Sequence, residues 1–202
     1  MTQLAVSSSV PLKLEFGDTL HLSDDELFEL CARNRDLRIE RTAAGNLIVM
    51  SPTGARTGTR NAALTAAVWN WTAQDATGAA FDSSTGFRLP NGAMRSPDVA
   101  WVLRSRLEPL SAEEKEKFLP LVPDFVIELL SPSDERTEAL EKMEEWRDNG
   151  ARLGWLIDPI ERRVHVYRPG QAVEVLEQPS QLSGDPELSG FVLNLQPIWQ
   201  PV

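Results

Sequence analysis

The sequence predicts a single α/β domain built on a mixed β-sheet. Helical apolar stripes alternate along the chain with short apolar strands, and 202 residues suffice for one core but are few for two. Three strand candidates, at 98–103, 125–130 and 155–158, are almost wholly apolar, which is typical of strands covered on both faces. The domain is therefore assigned to residues 1–202.

The helix candidates carry either a capping box or apolar residues at helical spacing. They begin near Ser23, Asn61, Ser111 and Ser133. The second places Leu64, Val68 and Trp71 on one face, and the last forms a stripe of Leu140, Met143 and Trp146. Each long helix is expected to cover the sheet with that face.

Shorter strands are expected around these elements. Residues 37–50 predict a hairpin that turns at Gly45-Asn46, and further strands are expected around Phe81, 87–89 and 164–167. Residues 1–20 should be extended, and 171–202 should form strands and loops, with 191–195 the best strand there.

Composition excludes several classes of protein. No apolar run approaches the roughly 18 residues that span a bilayer, and the N-terminus lacks the regions of a secretory signal, so no membrane association and a cytoplasmic location are expected. The single Cys31 excludes an internal disulfide and is expected to be a small buried helix residue. Zinc, P-loop, dinucleotide and nucleophile-elbow motifs are absent from the sequence.

The formal net charge is −10, from 30 acidic and 20 basic residues. This charge disfavours a protein that coats nucleic acid nonspecifically. A DNA-directed enzyme of this charge needs a local basic groove or a bound cation to reverse the field.

Two acidic residues adjoin predicted buried strands. Glu128 lies inside the apolar run 125–130, where a carboxylate is costly unless it is paired, protonated or bound to a metal. Asp98 follows Pro97 directly before the strand 99–103. If the strands are neighbours, the two carboxylates could share a hard cation such as Mg²⁺ or Mn²⁺. Each could instead be structural, with Glu128 pointing outward and Asp98 capping a turn.

Two further residues test the specificity of this pattern. Asp124 repeats the Pro-Asp dipeptide but lies roughly 13 Å along the strand from Glu128, too far to share an ion, so it is expected to cap the strand entry. Lys142 lies on the following helix beside the apolar stripe and could orient water or stabilise a phosphate. The alternative for Lys142 is an exposed pair with Glu138.

Five motifs stand in order along the chain. They are MSP at 50–52, RSPDVAWV at 95–102, PDFVIELLSPSDE at 123–135, EKMEEWRDNGARLGWLIDP at 141–159 and VHVYRPG at 164–170. Together they resemble the Uma family of restriction-endonuclease-like proteins. The resemblance covers about residues 37–170, with 1–36 as an N-terminal extension and 171–202 as C-terminal strands. It implies the fold of the PD-(D/E)xK nuclease superfamily, a mixed sheet flanked by helices.

The resemblance also implies roles for particular residues. Asp98 and Glu128 match the two motif acids, expected to be catalytic metal ligands, and Asp158 matches a D-P motif that would cap or support the site. Leu130 stands where the superfamily motif has its lysine, and Lys142 on the next helix is the expected substitute. Family members often carry His-Asn where this chain has Arg60-Asn61, so those two positions are given no catalytic role.

Three functions remain open at the level of sequence. The first is a Mg²⁺- or Mn²⁺-dependent endonuclease that cleaves DNA, for which a homodimer is compatible with the six tryptophans. The second is a nuclease-fold protein that binds or regulates without robust turnover, which the charge and the missing lysine favour. The third is a metal-dependent hydrolase of a small phosphorylated molecule.

Overall fold

The computed structural model describes residues 11–50 and 52–201 of the chain. Residues 1–10, half of the segment 1–20 that was expected to be extended, lie outside this part. No helix of the described residues is long and apolar enough to cross a bilayer.

The strands are short, as expected for a compact α/β domain. They are β1 Leu12–Leu14, β2 Arg38–Arg41, β3 Leu47–Met50, β4 Gly78–Asp82, β5 Phe87–Arg88, β6 Met94–Arg95, β7 Val99–Leu103, β8 Phe125–Leu129, β9 Leu153–Asp158, β10 Arg163–Tyr167, β11 Glu174–Glu177, β12 Gln181–Ser183 and β13 Val192–Asn194.

Two of the helices are long, and the others span ten residues or fewer. They are α1 Asp24–Arg33, α2 Ala55–Asp75, α3 Arg104–Leu107, α4 Ala112–Lys115, α5 Arg136–Asp148 and α6 Gln196–Trp199, besides a 3₁₀ turn at Gly17–Thr19. Both predicted capping boxes, Ser23 with Glu26 and Ser111 with Glu114, are present.

The central sheet has six strands in the order β11-β10-β9-β8-β7-β4. Only β8 and β9 pair in parallel, and the remaining neighbours are antiparallel, so the predicted mixed sheet is confirmed. A second, antiparallel sheet has the order β1-β3-β2-β6-β5 and contains the predicted hairpin, while β12 and β13 form a separate ribbon.

The two long helices cover opposite faces of the central sheet. Leu64 and Val68 of α2 belong to one buried cluster, which contains Trp101 and Trp155 of the sheet. Met143 and Trp146 of α5 belong to the other cluster. Burying one such large apolar side chain contributes roughly 1.5–3 kcal/mol to folding.

Close packing places α5 tightly on the sheet. A Cβ built on Gly154 of β9 would lie 2.5 Å from the Met143 methyl group, so a larger residue there would force the Met143 side chain to move.

Three boundaries differ from the sequence-based expectation. Helix α2 begins at Ala55, six residues before Asn61, because its first turns are polar and carry no apolar stripe. Helix α5 has Glu135 at its N-cap without a side-chain cap, since Asp134 accepts instead from the Ser131 amide. The C-terminal region adds the short helix α6 after β13.

Candidate active site

The register of β7 and β8 brings the two predicted acids together. Val99 pairs with Ile127 in this antiparallel ladder. Continuing the register by one residue places Asp98 opposite Glu128, on the face covered by α5. Directly opposed residues have Cα atoms about 4.5–5.5 Å apart. The two strands are therefore neighbours, as the shared-cation hypothesis requires.

Asp98 is held by three donors from three different elements. Its Oδ2 accepts a hydrogen bond from the Leu129 amide at 2.9 Å, and its Oδ1 accepts one from Asn61 Nδ2 at 3.2 Å. The Arg38 guanidinium lies 3.4 Å from the same Oδ1. The carboxylate thus joins the main sheet, helix α2 and the second sheet at one point.

Glu128 is buried against α5. Trp146 Nε1 donates a hydrogen bond to Glu128 Oε1 at 2.9 Å, and Lys142 Nζ lies 2.9 Å from the same oxygen. Burial raises the pKa of the Glu128 carboxyl to about 7, because it outweighs the opposing effect of Lys142, and the nearby Asp98 carboxylate adds to the rise. Near neutral pH, the protein alone therefore leaves the Glu128 carboxyl partly protonated.

Lys142 points inward to two carboxylates. Its Nζ lies 2.9 Å from Glu128 Oε1 and 2.9 Å from Glu40 Oε1. Burial lowers the pKa of this ammonium group, but the two carboxylates outweigh burial and the net pKa is raised. The alternative of an exposed pair with Glu138 is therefore wrong.

Glu40 on β2 is a buried acid that the sequence analysis missed. Its Oε1 accepts from the Ser96 amide at 3.1 Å, and its Oε2 lies 3.2 Å from Arg95 Nη1. Burial alone would raise the pKa of Glu40, but Lys142 and Arg95 outweigh it and lower the pKa to about 2. A signal was present, because Glu40 follows Ile39 inside a predicted strand, as Glu128 follows Ile127.

Asn61, for which the sequence predicts no catalytic role, donates a hydrogen bond to Asp98 directly. Its Oδ1 is buried and has no hydrogen-bond partner within the described residues. The Arg60-Asn61 dipeptide could have identified this position through the family's His-Asn pair.

The other two candidate acids lie outside this cluster. Asp124 accepts from the Leu103 amide at 2.9 Å and pairs with Arg106 at 3.0 Å, so it caps the far end of the strand pair as predicted. Asp158 Oδ1 accepts from the amides of residues 160 and 161 and thereby caps the β9–β10 turn. Within the described residues Asp158 makes no bond to the other predicted site residues, so its contacts are those of a cap rather than of a support for the site.

The donor set matches a hard cation better than zinc. No group of three or more His, Cys, Asp or Glu side chains arranged for a metal occurs in residues 11–50 and 52–201. Mg²⁺ is commonly held by one or two carboxylates, with water and substrate phosphates completing its shell. Asp98 and Glu128 fit that pattern, and Glu128 Oε2 accepts no hydrogen bond from the described residues. A cation bound there must compete with Arg38 and Lys142.

Comparison with solved structures defines the class of fold. The chain is similar to the crystal structure of a "putative nuclease belonging to DUF820" from Anabaena variabilis ATCC 29413, with a TM-score of 0.72 and 22% sequence identity, over 88% of this chain and 97% of that chain. The fold is thus the restriction-endonuclease-like fold predicted from the sequence.

The family follows from a direct match. The family model Uma2, described as "Putative restriction endonuclease", matches residues 24–196, and the chain belongs to this family. The resemblance drawn from the motifs is thereby confirmed. No curated protein matches the chain.

Proposed function

We propose that this protein is a Mg²⁺- or Mn²⁺-dependent endonuclease that hydrolyses DNA at Asp98 and Glu128. Its family and its fold support a nuclease. The observation that carries the finer proposal is the opposition of Asp98 and Glu128 across β7 and β8, with Lys142 beside Glu128. A bound divalent cation at such a pair supplies an activated water and neutralises charge on the phosphate.

The chain's own groups have separable tasks in this proposal. The Leu129 amide and Asn61 fix the orientation of Asp98, and the Trp146 indole fixes Glu128 Oε1. Oriented carboxylates bind a hard cation with little rearrangement. Lys142 keeps a positive charge next to the pair, where it can stabilise the extra negative charge of the phosphate during attack.

The proposal is tested by incubating purified protein with supercoiled, linear and single-stranded DNA in Mg²⁺ or Mn²⁺. Wild-type protein should cleave DNA only with the cation present. Asp98→Ala and Glu128→Ala should each abolish cleavage while far-UV and near-UV circular dichroism stay native. Cleavage that survives both substitutions contradicts the site assignment.

A binding or regulatory protein without turnover is the second candidate, and one observation favours it. Arg38 and Lys142 already neutralise the two carboxylates, as they would in a site closed by ion pairs. This candidate predicts no DNA cleavage and no heat of Mn²⁺ binding in calorimetry. The endonuclease predicts that cleavage and Mn²⁺ binding are both observed.

A further inference from the structure

We propose that Arg56 and Arg60, on the first turns of α2, bind the phosphate backbone of the DNA strand on which the Asp98–Glu128 pair acts. The position of the cleaved phosphate rests on the proposed function, but the binding surface stands on its own contacts. We call these two side chains the α2 arginine pair.

The α2 arginine pair is a local exception to the charge of the chain. The net charge is −10, yet Arg56 and Arg60 are the only charged residues of α2 before Asp75 at its last position. Neither guanidinium forms an ion pair within the part of the chain that the structure describes, whereas most other arginines there are paired with acids. Up to Asp75, every charged side chain of α2 is therefore positive.

The two arginines also repel each other. They are four residues apart on one helix face, a spacing at which like charges cost a few tenths of a kcal/mol. Partial burial lowers the pKa of Arg60, and the neighbouring Arg56 lowers it further. Since no acid in residues 11–50 and 52–201 pairs with either arginine, an anionic ligand would relieve this repulsion.

The surface adjoins the carboxylate site through Asn61. Asn61 Nδ2 donates to Asp98 Oδ1 at 3.2 Å. Helix geometry places Arg60 and Arg56 about 1.5 and 7.5 Å further along the axis and about 100° and 140° around it from Asn61, so the pair flanks the site and does not point into it. One DNA strand carries a phosphate about every 3.4 Å of duplex axis, so the pair can contact phosphates next to the one at the site. Arg38, on the same Asp98 oxygen, extends the cationic surface across the site.

The geometry leaves the pair available to a ligand. Arg60 Nε donates to the Ile198 carbonyl at 2.8 Å, which anchors the side chain and leaves both terminal nitrogens for a phosphate. Arg56 is exposed.

The test measures binding of a short fluorescein-labelled DNA duplex by anisotropy, with Ca²⁺ replacing Mg²⁺, over a series of salt concentrations. The double variant Arg56→Gln/Arg60→Gln should bind more weakly for every sequence, and the slope of log affinity against log salt should fall by about 2. Arg152→Gln is the matched control, because Arg152 is exposed and forms no ion pair with described residues. It directly precedes β9, at the end of the sheet that lies away from Glu128. Arg152→Gln should leave the slope unchanged.

A second variant separates charge from folding. Arg56→Lys/Arg60→Lys keeps both positive charges on the helix and should retain the salt dependence of DNA binding, whereas Arg56→Gln/Arg60→Gln should not. Wild-type affinity and salt dependence in the Arg56→Gln/Arg60→Gln variant overturn the inference, and so does a wild-type protein that does not bind DNA.

The outcomes for this inference and for the proposed function differ. If Arg56→Gln/Arg60→Gln cleaves DNA and binds it with the wild-type salt dependence, the endonuclease is supported and the α2 surface is contradicted. Arginine-dependent DNA binding by a wild-type protein that does not cleave leaves the surface standing and removes the endonuclease.

Discussion

Each end of the β7–β8 pair has a Pro-Asp dipeptide, but the surroundings of the two aspartates differ. Asp98 and Asp124 each follow a proline, and because the strands are antiparallel they lie at opposite ends of the pair. Each accepts the amide of the other strand's last residue at 2.9 Å, from Leu129 to Asp98 and from Leu103 to Asp124. Capping an adjacent strand is therefore a structural role that both aspartates share.

The difference lies in what stands opposite. Extending the register places Glu128 opposite Asp98 but Val102 opposite Asp124. Asp124 has one basic partner, Arg106, whereas the Asp98 end collects Arg38, Lys142 and a third carboxylate. The second buried carboxylate, rather than the Pro-Asp motif, distinguishes the candidate site from a strand cap.

The largest expected difference between the two ends is in catalysis. Asp98→Asn and Glu128→Gln should lower the rate of Mg²⁺-dependent DNA cleavage more than about 100-fold, because even residues that support a metal ligand commonly cost 10–100-fold. Asp124→Asn should keep the rate and lose about 1–3 kcal/mol of unfolding free energy, since hydrogen bonds to a charged group contribute about that much. Plasmid cleavage and urea unfolding measure both quantities. Equal loss of cleavage in all three variants would remove the distinction.

Glu40 should make the Asp98 end the more sensitive one to loss of a single acid. Glu40→Ala leaves Lys142 and Arg95 with fewer carboxylates in a buried setting, and breaking a buried pair in this way costs about 3–5 kcal/mol. The free energy of unfolding in urea gives the value, and Glu138→Ala on the exposed face of α5 is the control. A loss below that of Asp124→Asn would contradict the ranking.

Glu128, at the Asp98 end, should contribute to the pH dependence of stability. The pKa of Glu128 in the folded protein is about 7, above its ordinary value of 4.5. Glu128 therefore stabilises the fold below about pH 4.5, and this contribution is lost as the pH rises through about 7, at about 1.4 kcal/mol per unit of pKa shift.

Urea unfolding without divalent cations, between about pH 5 and pH 8, tests this sign. The stabilising contribution of Glu128 in the wild-type protein should decrease as the pH rises over that window. Glu128→Gln should remove this part of the pH dependence. Glu40 does not interfere, because its pKa of about 2 means that its contribution is lost only on stronger acidification. An unchanged slope in Glu128→Gln would show that Glu128 is ionised throughout.

The smallest expected effect is at the Asp124 end. The Arg106 side chain is 36% exposed, and partly exposed ion pairs contribute about 0–1 kcal/mol. Arg106→Gln should therefore shift the free energy of unfolding by less than about 1 kcal/mol and leave cleavage unchanged. A larger loss would mean that the Asp124 end is also a charged cluster whose balance matters.

Local pattern was sufficient to predict the elements that hold the acids. The apolar run around Glu128, the stripe of Met143 and Trp146 and the strand after Asp98 each carry their own signal, because burial on both faces selects apolar residues. The pairing of β7 with β8 could be stated only as a condition, since nothing local fixes which strands become neighbours.

The parts that were missed depend on contacts between distant segments. Glu40 reaches Lys142 across 102 positions, because β2 belongs to a second sheet whose place beside α5 has no local signature. Trp146 was predicted as a core residue, and its indole nitrogen also bonds Glu128. The early start of α2 was missed because its first turns, with Arg56 and Arg60, carry cations instead of an apolar stripe.

Isothermal titration of Mn²⁺ into wild-type protein and into Asp98→Asn, Glu128→Gln and Asp124→Asn tests the central claim most directly. Wild-type protein and Asp124→Asn should bind the cation with similar affinity, and the other two variants should not bind it. Retained Mn²⁺ binding in both Asp98→Asn and Glu128→Gln, with the proteins folded, would contradict a metal site at this end of the strand pair.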